Sequence, residues 1–213
     1  MHTNGDGKPI IALDVDGTLG DFHKHFLTFA ANWVGRPMPS PDDINPGLRL
    51  HKFMGIPLRT YRECKLAYRQ GGLKRWMPCY EGASELTRAL RRAGSEVWIC
   101  TTRPYLRLDN IDPDTREWLR RNEIKYDAVL YGDNKYQELN RQVGRRVAGV
   151  LEDLPELWDK ARKLFPEALV CLRDQPYNRL AGDQPLGHLE DRVKDLQQAK
   201  EILLAAVEEW RDT

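Results

Sequence analysis

Five short apolar runs punctuate this chain: IIALD at 10–14, EVWICT at 96–101, DAVLY at 127–131, RVAGVL at 146–151 and ALVCL at 168–172. Segments of helical periodicity lie between the later ones. Runs this short, rich in Val, Ile and Leu, suit strands covered on both faces. Helical crossovers are what let successive strands lie parallel. The expected fold is α/β: a Rossmann-like, five-stranded parallel sheet with helices on both faces.

The helices carry recognisable ends. Ala83, Leu86, Leu90 and Ala93 keep helical spacing up to Gly94, and Asp112-Pro113 reads as an N-cap with proline at the first helical position. LPELWDKARKLF, from Leu154, reads as a third helix. Between the first apolar run and residue 81 there is no convincing strand. Phe22, Phe26, Phe29, Ala30, Trp33 and Val34 mark one face of a helix ending near Gly35, and Leu58, Tyr61 and Tyr68 mark another ending at Gly71-Gly72. The intervening GRPMPSPDDINPG reads as turns. The expected organisation is a core of 1–21 and 80–185, a helical cap at 22–79 inserted after the first strand, and an amphipathic helix at 186–213. In that last segment Leu186, Leu189, Val193, Leu196, Leu203, Val207 and Trp210 form one apolar stripe, expected to support a homodimer unless the parent core uses it.

The balance of 33 Lys+Arg against 32 Asp+Glu gives no overall field for a nucleic acid or a membrane surface, so any polyanion contact must be local. No run reaches the roughly 18 apolar residues of a membrane span, and MHTNGDGKP lacks the apolar centre of a signal peptide, so a cytoplasmic location is expected. The four cysteines are far apart and suggest neither a disulfide framework nor a zinc site.

The chemistry begins where the first run ends. In IIALDVDGTLGDF, Asp14 and Asp16 lie on one side of an extended backbone, and two like charges so close need a cation, a shared proton or a positive partner. The other strand ends add Thr101-Thr102-Arg103, then Gly132-Asp133-Asn134-Lys135, then Glu152-Asp153. Ligands of open α/β sheets bind outside such ends. An Asp-x-Asp alone could equally cap a helix, and a lone lysine could equally be solvated; the ordered set argues for a site.

DVDGTL, followed in order by Thr101, Lys135 and the acidic pair in VLEDLPEL, resembles the haloacid dehalogenase superfamily, and the likeness covers residues 8 to about 180. The resemblance implies phosphoryl transfer. Asp14 would be the nucleophile, forming an aspartyl-phosphate, and Asp16 the general acid and base. Thr101 and Lys135 would bind and neutralise the transferring group. Mg²⁺ would be held by Asp14, the Asp16 carbonyl and Asp153, with Glu152 orienting a metal-bound water.

DVDGTLGDF is also similar to the opening of the 5'(3')-deoxyribonucleotidases, which implies a nucleoside monophosphate substrate with Phe22 lining the base pocket. Arg103 has no counterpart there. Thr101-Thr102-Arg103 instead resembles the Ser-Gly-Arg of polynucleotide 3'-phosphatases, where the arginine holds substrate phosphate. Thr102 and Arg103 are therefore expected substrate contacts. A binding module without catalysis is the remaining alternative, and it would be expected to have lost Asp14 or Lys135. His23 and His25 are read as the wet face of the first cap helix.

Overall fold

The computed structural model describes residues 7–44, 48–179 and 191–213. Its sheet is entirely parallel, in the order β3-β2-β1-β4-β5-β6. The strands are β1 (Ile10–Leu13), β2 (Glu96–Thr101), β3 (Ala128–Tyr131), β4 (Val147–Glu152), β5 (Leu169–Arg173) and β6 (Arg192–Val193). The five expected strands are present. The sixth was not expected, because two residues pairing with Leu172 and Arg173 are too short to leave a pattern. The most apolar run is the central strand, and all four β1 residues are fully buried.

From β1 the chain winds outward through β2 and β3, then restarts at β4 on the other side of β1. The crevice between the carboxyl ends of β1 and β4 is thus the switch point, where loops diverge and leave room for a ligand.

The cap region contains α1 (Phe22–Val34), a single turn at Pro41–Asp43, α2 (Leu50–Phe53), α3 (Leu58–Gln70) and a further turn at Leu73–Trp76. α1 stops at Gly35, whose φ of 76° suits a residue without Cβ. Residues 45–47, inside the loop read as turns, lie outside the described residues. Phe22, Phe26, Phe29, Tyr61 and Tyr68 pack together between α1 and α3 and continue into the apolar core on one face of the sheet. The chain enters and leaves side by side: Asp21 N donates to Pro78 O at 2.8 Å and Tyr80 N to Leu19 O at 2.9 Å. That pairing fixes both hinge segments beside the end of β1.

The core helices are α4 (Ala83–Arg92), α5 (Ile111–Arg121), α6 (Lys135–Val143), α7 (Pro155–Leu164) and α8 (Leu196–Asp212). The N-cap of α5 is Asn110, two residues before the expected Asp112. Pro113 is tolerated because first-turn N–H groups have no intrahelical acceptor.

α8 starts only at Leu196, where the Asp195 carboxylate accepts from Gln198 N at 2.8 Å. Val193 belongs to β6, and Leu186 and Leu189 lie outside the described residues. The stripe is covered within the chain: Leu196, Ala199, Leu203 and Val207 are buried against α4 and the sheet. A Cβ on Gly149 of β4 would come within 2.7 Å of Leu203, so glycine there permits the close approach. The homodimer expectation loses the face on which it rested. Among the described residues no helix is long and apolar enough to cross a membrane.

Candidate active site

Asp14 follows β1, and Glu152 and Asp153 close β4, so neighbouring parallel strands deliver three carboxylates to one crevice. One oxygen from each lies within 4.8 Å of the others, and all three residues are buried. Lys135, fully buried, donates to Asp14 Oδ1 at 2.5 Å and to the Cys100 carbonyl at 3.0 Å, and pairs with Glu152 Oε2 at 2.6 Å. A lysine at the first position of a helix opposes the helix dipole. Here the two carboxylates outweigh that penalty and the cost of burial, and hold the ammonium well above its ordinary pKa.

Glu152 has no free side. It accepts from Asp153 N and Leu154 N, each at 3.0 Å, and from the Tyr136 hydroxyl at 2.7 Å, besides its contact with Lys135. It therefore shapes the β4 turn and fixes Lys135. Asp153 differs, being held by hydroxyls: Thr18 donates to Oδ1 at 2.9 Å and Tyr177 to Oδ2 at 2.5 Å. Gly17, with φ of 104°, lies so close that a Cβ there would collide with Asp153 Oδ2 and the Tyr177 hydroxyl.

Three buried acids face one lysine, which leaves negative charge without a counterpart. Burial pushes Asp14 up to about 7, Lys135 draws it down and Glu152 pushes it up again. Burial also lifts Asp153 well above the carboxylate range, with Glu152 and Asp14 adding to it. Burial and the neighbouring carboxylates thus favour the protonated form of both acids. An all-oxygen set with excess negative charge fits a hard divalent cation such as Mg²⁺. Asp14 and Asp153 have the capacity to hold it; Glu152 does not.

Asp16 lies in the opposite electrostatic setting. Arg103 grips it with two donors, Nη2 to Oδ1 at 2.8 Å and Nε to Oδ2 at 3.1 Å, and Lys74 Nζ donates to Oδ2. Burial raises this carboxyl, but Arg103 and then Lys74 outweigh it and keep it ionised far below the usual range. Arg103 gives its remaining edge to Thr115 Oγ1 at 2.9 Å and is 2% exposed. It was expected to meet substrate phosphate; in the structure the guanidinium is turned onto Asp16.

Phe22, expected to line a base pocket, packs inward. It is 8% exposed, stacks on Phe26 with ring centroids 5.4 Å apart, and has Lys74 Nζ over its ring at 4.1 Å, so it is no open platform for a base. Thr101 is buried at the end of β2, its hydroxyl accepting from Arg103 N at 3.4 Å. Thr102 is half-buried on the adjoining loop. The histidines are not on a wet face. His23 lies against Tyr177, centroids 4.2 Å apart, and His25 Nδ1 is 2.7 Å from the Tyr68 hydroxyl.

Lys74, Thr18 and Tyr177 were not anticipated. Lys74 is a lone lysine in a loop by sequence, and only the fold returns it to Asp16. DQPYN carried the signal for Tyr177, as a polar turn directly after an apolar run that aligns with the other strand ends.

No family model and no curated protein matches the sequence. Solved structures do. A haloacid dehalogenase (HAD) family hydrolase from Deinococcus radiodurans, with bound phosphate and sodium, is 17% identical, covering 93% of this chain and 96% of that one at a TM-score of 0.61. A predicted phosphoglycolate phosphatase from Haemophilus somnus is 16% identical over 92% and 97%, also with a TM-score of 0.61. Protein tyrosine kinase A of Mycobacterium tuberculosis is 18% identical over 93% and 99%, TM-score 0.63. The chain therefore has the fold of HAD-superfamily hydrolases. A phosphatase and a kinase share it, so the chemistry must be argued from the site.

Proposed function

We propose that this protein is a Mg²⁺-dependent phosphomonoesterase that acts through an aspartyl-phosphate on Asp14, with a nucleoside monophosphate as the substrate class. The observation that carries this reading is the pairing of Asp14 with Asp153 across β1 and β4, with Lys135 bridging Asp14 to Glu152. Mg²⁺ held by Asp14, the Asp16 carbonyl and Asp153 would supply charge neutralisation to the phosphoryl oxygens.

In the first step an Asp14 carboxylate oxygen bonds to phosphorus as the ester P–O bond breaks, and Asp16 passes a proton to the departing alkoxide. In the second, Asp16 takes a proton from water as its oxygen bonds to phosphorus, releasing inorganic phosphate and restoring Asp14. Asp16 is arranged for the second step, since Arg103 and Lys74 keep it ionised. For the first it must receive a proton. Burial lowers Lys74 to about 7, and it donates to Asp16 Oδ2, so Lys74 and Arg103 together set how readily Asp16 takes up that proton. Lys135 holds Asp14 Oδ1 and fixes the direction of attack, while Thr101 stands at the neighbouring strand end as a donor to the transferring group.

The retained, paired Asp14 and Lys135 argue against a module without catalysis. With Arg103 turned onto Asp16, a polynucleotide 3'-phosphatase reading no longer rests on that arginine. The deciding experiment is phosphate release from p-nitrophenyl phosphate and from nucleoside 3'- and 5'-monophosphates with Mg²⁺. Release that is abolished by EDTA and by Asp14→Asn is expected; no release from any phosphomonoester would overturn the proposal.

A further inference from the structure

We propose that the substrate carries a second phosphate group, received by a separate cationic pocket between the cap region and the loops after β2 and β3; this rests on the phosphomonoesterase reading above and extends its nucleoside monophosphate by one phosphate. The pocket is a cavity of about 250 Å³ lined by Arg69 and Arg107, with Thr102, Tyr105, Tyr131 and Asp133 completing its walls.

Three observations converge on it. First, the two arginines come from different parts of the fold, Arg69 from the last turn of α3 and Arg107 from the turn that follows β2, yet neither forms an ion pair among the described residues. Arg69 Nε is buried without a hydrogen-bond partner. A buried unsatisfied guanidinium donor is costly, so its retention points to an acceptor brought by a ligand. Burial lowers the Arg69 guanidinium, Asp16 opposes that, and Arg107 and Arg103 add to it, the signature of adjoining cations without enough anions. Asp133 is the one acid on the rim, exposed and unpaired among the described residues, so the pocket keeps a positive excess.

Second, the pocket adjoins the proposed reaction centre. Thr102 directly follows Thr101, Gly132 N donates to the Thr101 carbonyl at 2.9 Å, and the Asp133 loop runs on into Lys135. A molecule with one phosphate at Asp14 can reach the arginines with another. Third, the mouth offers a planar surface. Tyr105 is 49% exposed and stacks in parallel on Tyr131, centroids 5.0 Å apart at 16°. Tyr131 is itself fixed by its hydroxyl donating to Asp112 at 2.8 Å. An exposed ring backed by a fixed one suits stacking against a base.

The shared chemistry is a phosphomonoester with a second phosphate beside a planar ring. A nucleoside 3',5'-bisphosphate and an oligonucleotide bearing a terminal phosphate both supply it. Such a ligand would also tie Arg69 of the cap region to Arg107 of the core, a contact that a monophosphate cannot make.

The test has two readouts. In turnover, adenosine 3',5'-bisphosphate and a 3'-phosphorylated dinucleotide are compared with adenosine 3'- and 5'-monophosphates and p-nitrophenyl phosphate, using wild type, Arg69→Gln and Arg107→Gln. The expected result is a KM at least tenfold lower for one of the doubly charged substrates. Either substitution should erase that gain and leave turnover of p-nitrophenyl phosphate within twofold of wild type. Preference for the bisphosphate or for the dinucleotide identifies the source. In binding, Asp14→Asn with Mg²⁺ is titrated with adenosine 3',5'-bisphosphate and with the monophosphates. Tighter bisphosphate binding, lost on adding Arg69→Gln, upholds the pocket even if no phosphate is released, in which case the failure belongs to the phosphomonoesterase reading alone. Equal affinity for one and two phosphates, or equal losses on every substrate including p-nitrophenyl phosphate, overturns the second site.

Discussion

Asp14 and Asp16 are two residues apart, both at the mouth of the crevice, and the protein treats them in opposite ways. Asp14 faces Glu152 and Asp153 across the β1–β4 boundary with Lys135 as the shared cation, and burial lifts it to about 7. Asp16 faces the cap region, where Arg103 and Lys74 overcome the same burial and hold it ionised. One side of the crevice is short of positive charge and the other has cations to spare. Two carboxyls of one chemistry can thus take two roles, because environment separates their proton affinities. The acidic side is built to gain a cation, and the basic side to hold an ionised base and receive anions.

The largest effect should come from the acidic side. Asp14→Asn removes the proposed nucleophile and is expected to lower kcat on the order of 10⁴-fold or more, measured as phosphate release under Mg²⁺ saturation. A loss of less than about tenfold would mean that Asp14 is one acid among equals. Next is Lys135→Met. Removing the ammonium leaves three buried carboxylates together, which should cost about 3–5 kcal/mol of stability in urea unfolding. Adding Asp14→Asn should recover part of that loss, since it deletes one repelling charge. If Lys135→Met unfolds at the wild-type midpoint, the acidic side is not short of charge as drawn.

This division was only partly legible in the sequence. Asp14, Lys135 and Asp153 could be read because each sits immediately after an apolar run or in the loop that follows it, and strand ends of a parallel sheet converge. Lys74 could not be read. It reaches Asp16 from 58 positions away through a hinge whose pairing is set by tertiary contacts. Arg103 was visible but its direction was not, since a guanidinium beside a strand end can turn to substrate or to a neighbouring carboxylate. Phe22 carries the same ambiguity: an aromatic after the motif is equally a core residue, and here it packs on Phe26. β6 and the start of α8 escaped because Val193 fits a helical stripe by spacing alone, whereas two hydrogen-bonded positions on β5 settle it as strand.

On the basic side, Lys74→Met should lower kcat by about 10- to 100-fold, less than the roughly 10²–10⁴-fold that a general acid and base contributes, because Arg103 still holds Asp16. Asp16, left with Arg103 alone, should titrate at a higher pH. A group held below its unfolded value contributes stability that is present above that value, 3.8 here, and lost as pH falls through the folded one. The acidic limb of the rate profile should therefore move upward in the variant. An unchanged profile would assign the clasp to Arg103 alone.

Metal linkage sharpens the contrast by a smaller amount. Asp14 is raised above its unfolded value, so protonation stabilises the fold fully below 3.8 and that contribution is lost as pH rises through about 7. Metal must displace those protons. Thermal stabilisation by Mg²⁺ should accordingly be weak near about pH 5.5 and stronger near about pH 8, with affinity at least tenfold higher, or about 1.4 kcal/mol. Stabilisation that is equal at both would mean that the carboxylates are already ionised without the ion.

The smallest effect belongs to His23, which stands where the two sides meet. Its ring packs on Tyr177, whose hydroxyl holds Asp153, while Lys65, Lys74 and Asp16 act on it from the cap side. Burial is the main cause that lowers it to about 4, with Lys65 and Lys74 adding to it and Asp16 opposing. Between the ordinary value of 6.5 and about 4 the unfolded chain takes up a proton that the folded chain refuses. Stability from this group is therefore complete above 6.5 and falls as pH drops toward 4. His23→Phe keeps a ring against Tyr177 and removes the titration; the gap from 6.5 to about 4 sets an upper limit of about 3 kcal/mol, which water at the half-buried ring reduces to about 1 kcal/mol, so the variant's unfolding free energy should fall by that much less than wild type across the interval. Urea midpoints at several pH values measure this directly. Parallel curves for the two proteins would mean that the imidazole reaches water when protonated, and that the seam between the acidic and basic sides opens more readily than the Tyr177 contact implies.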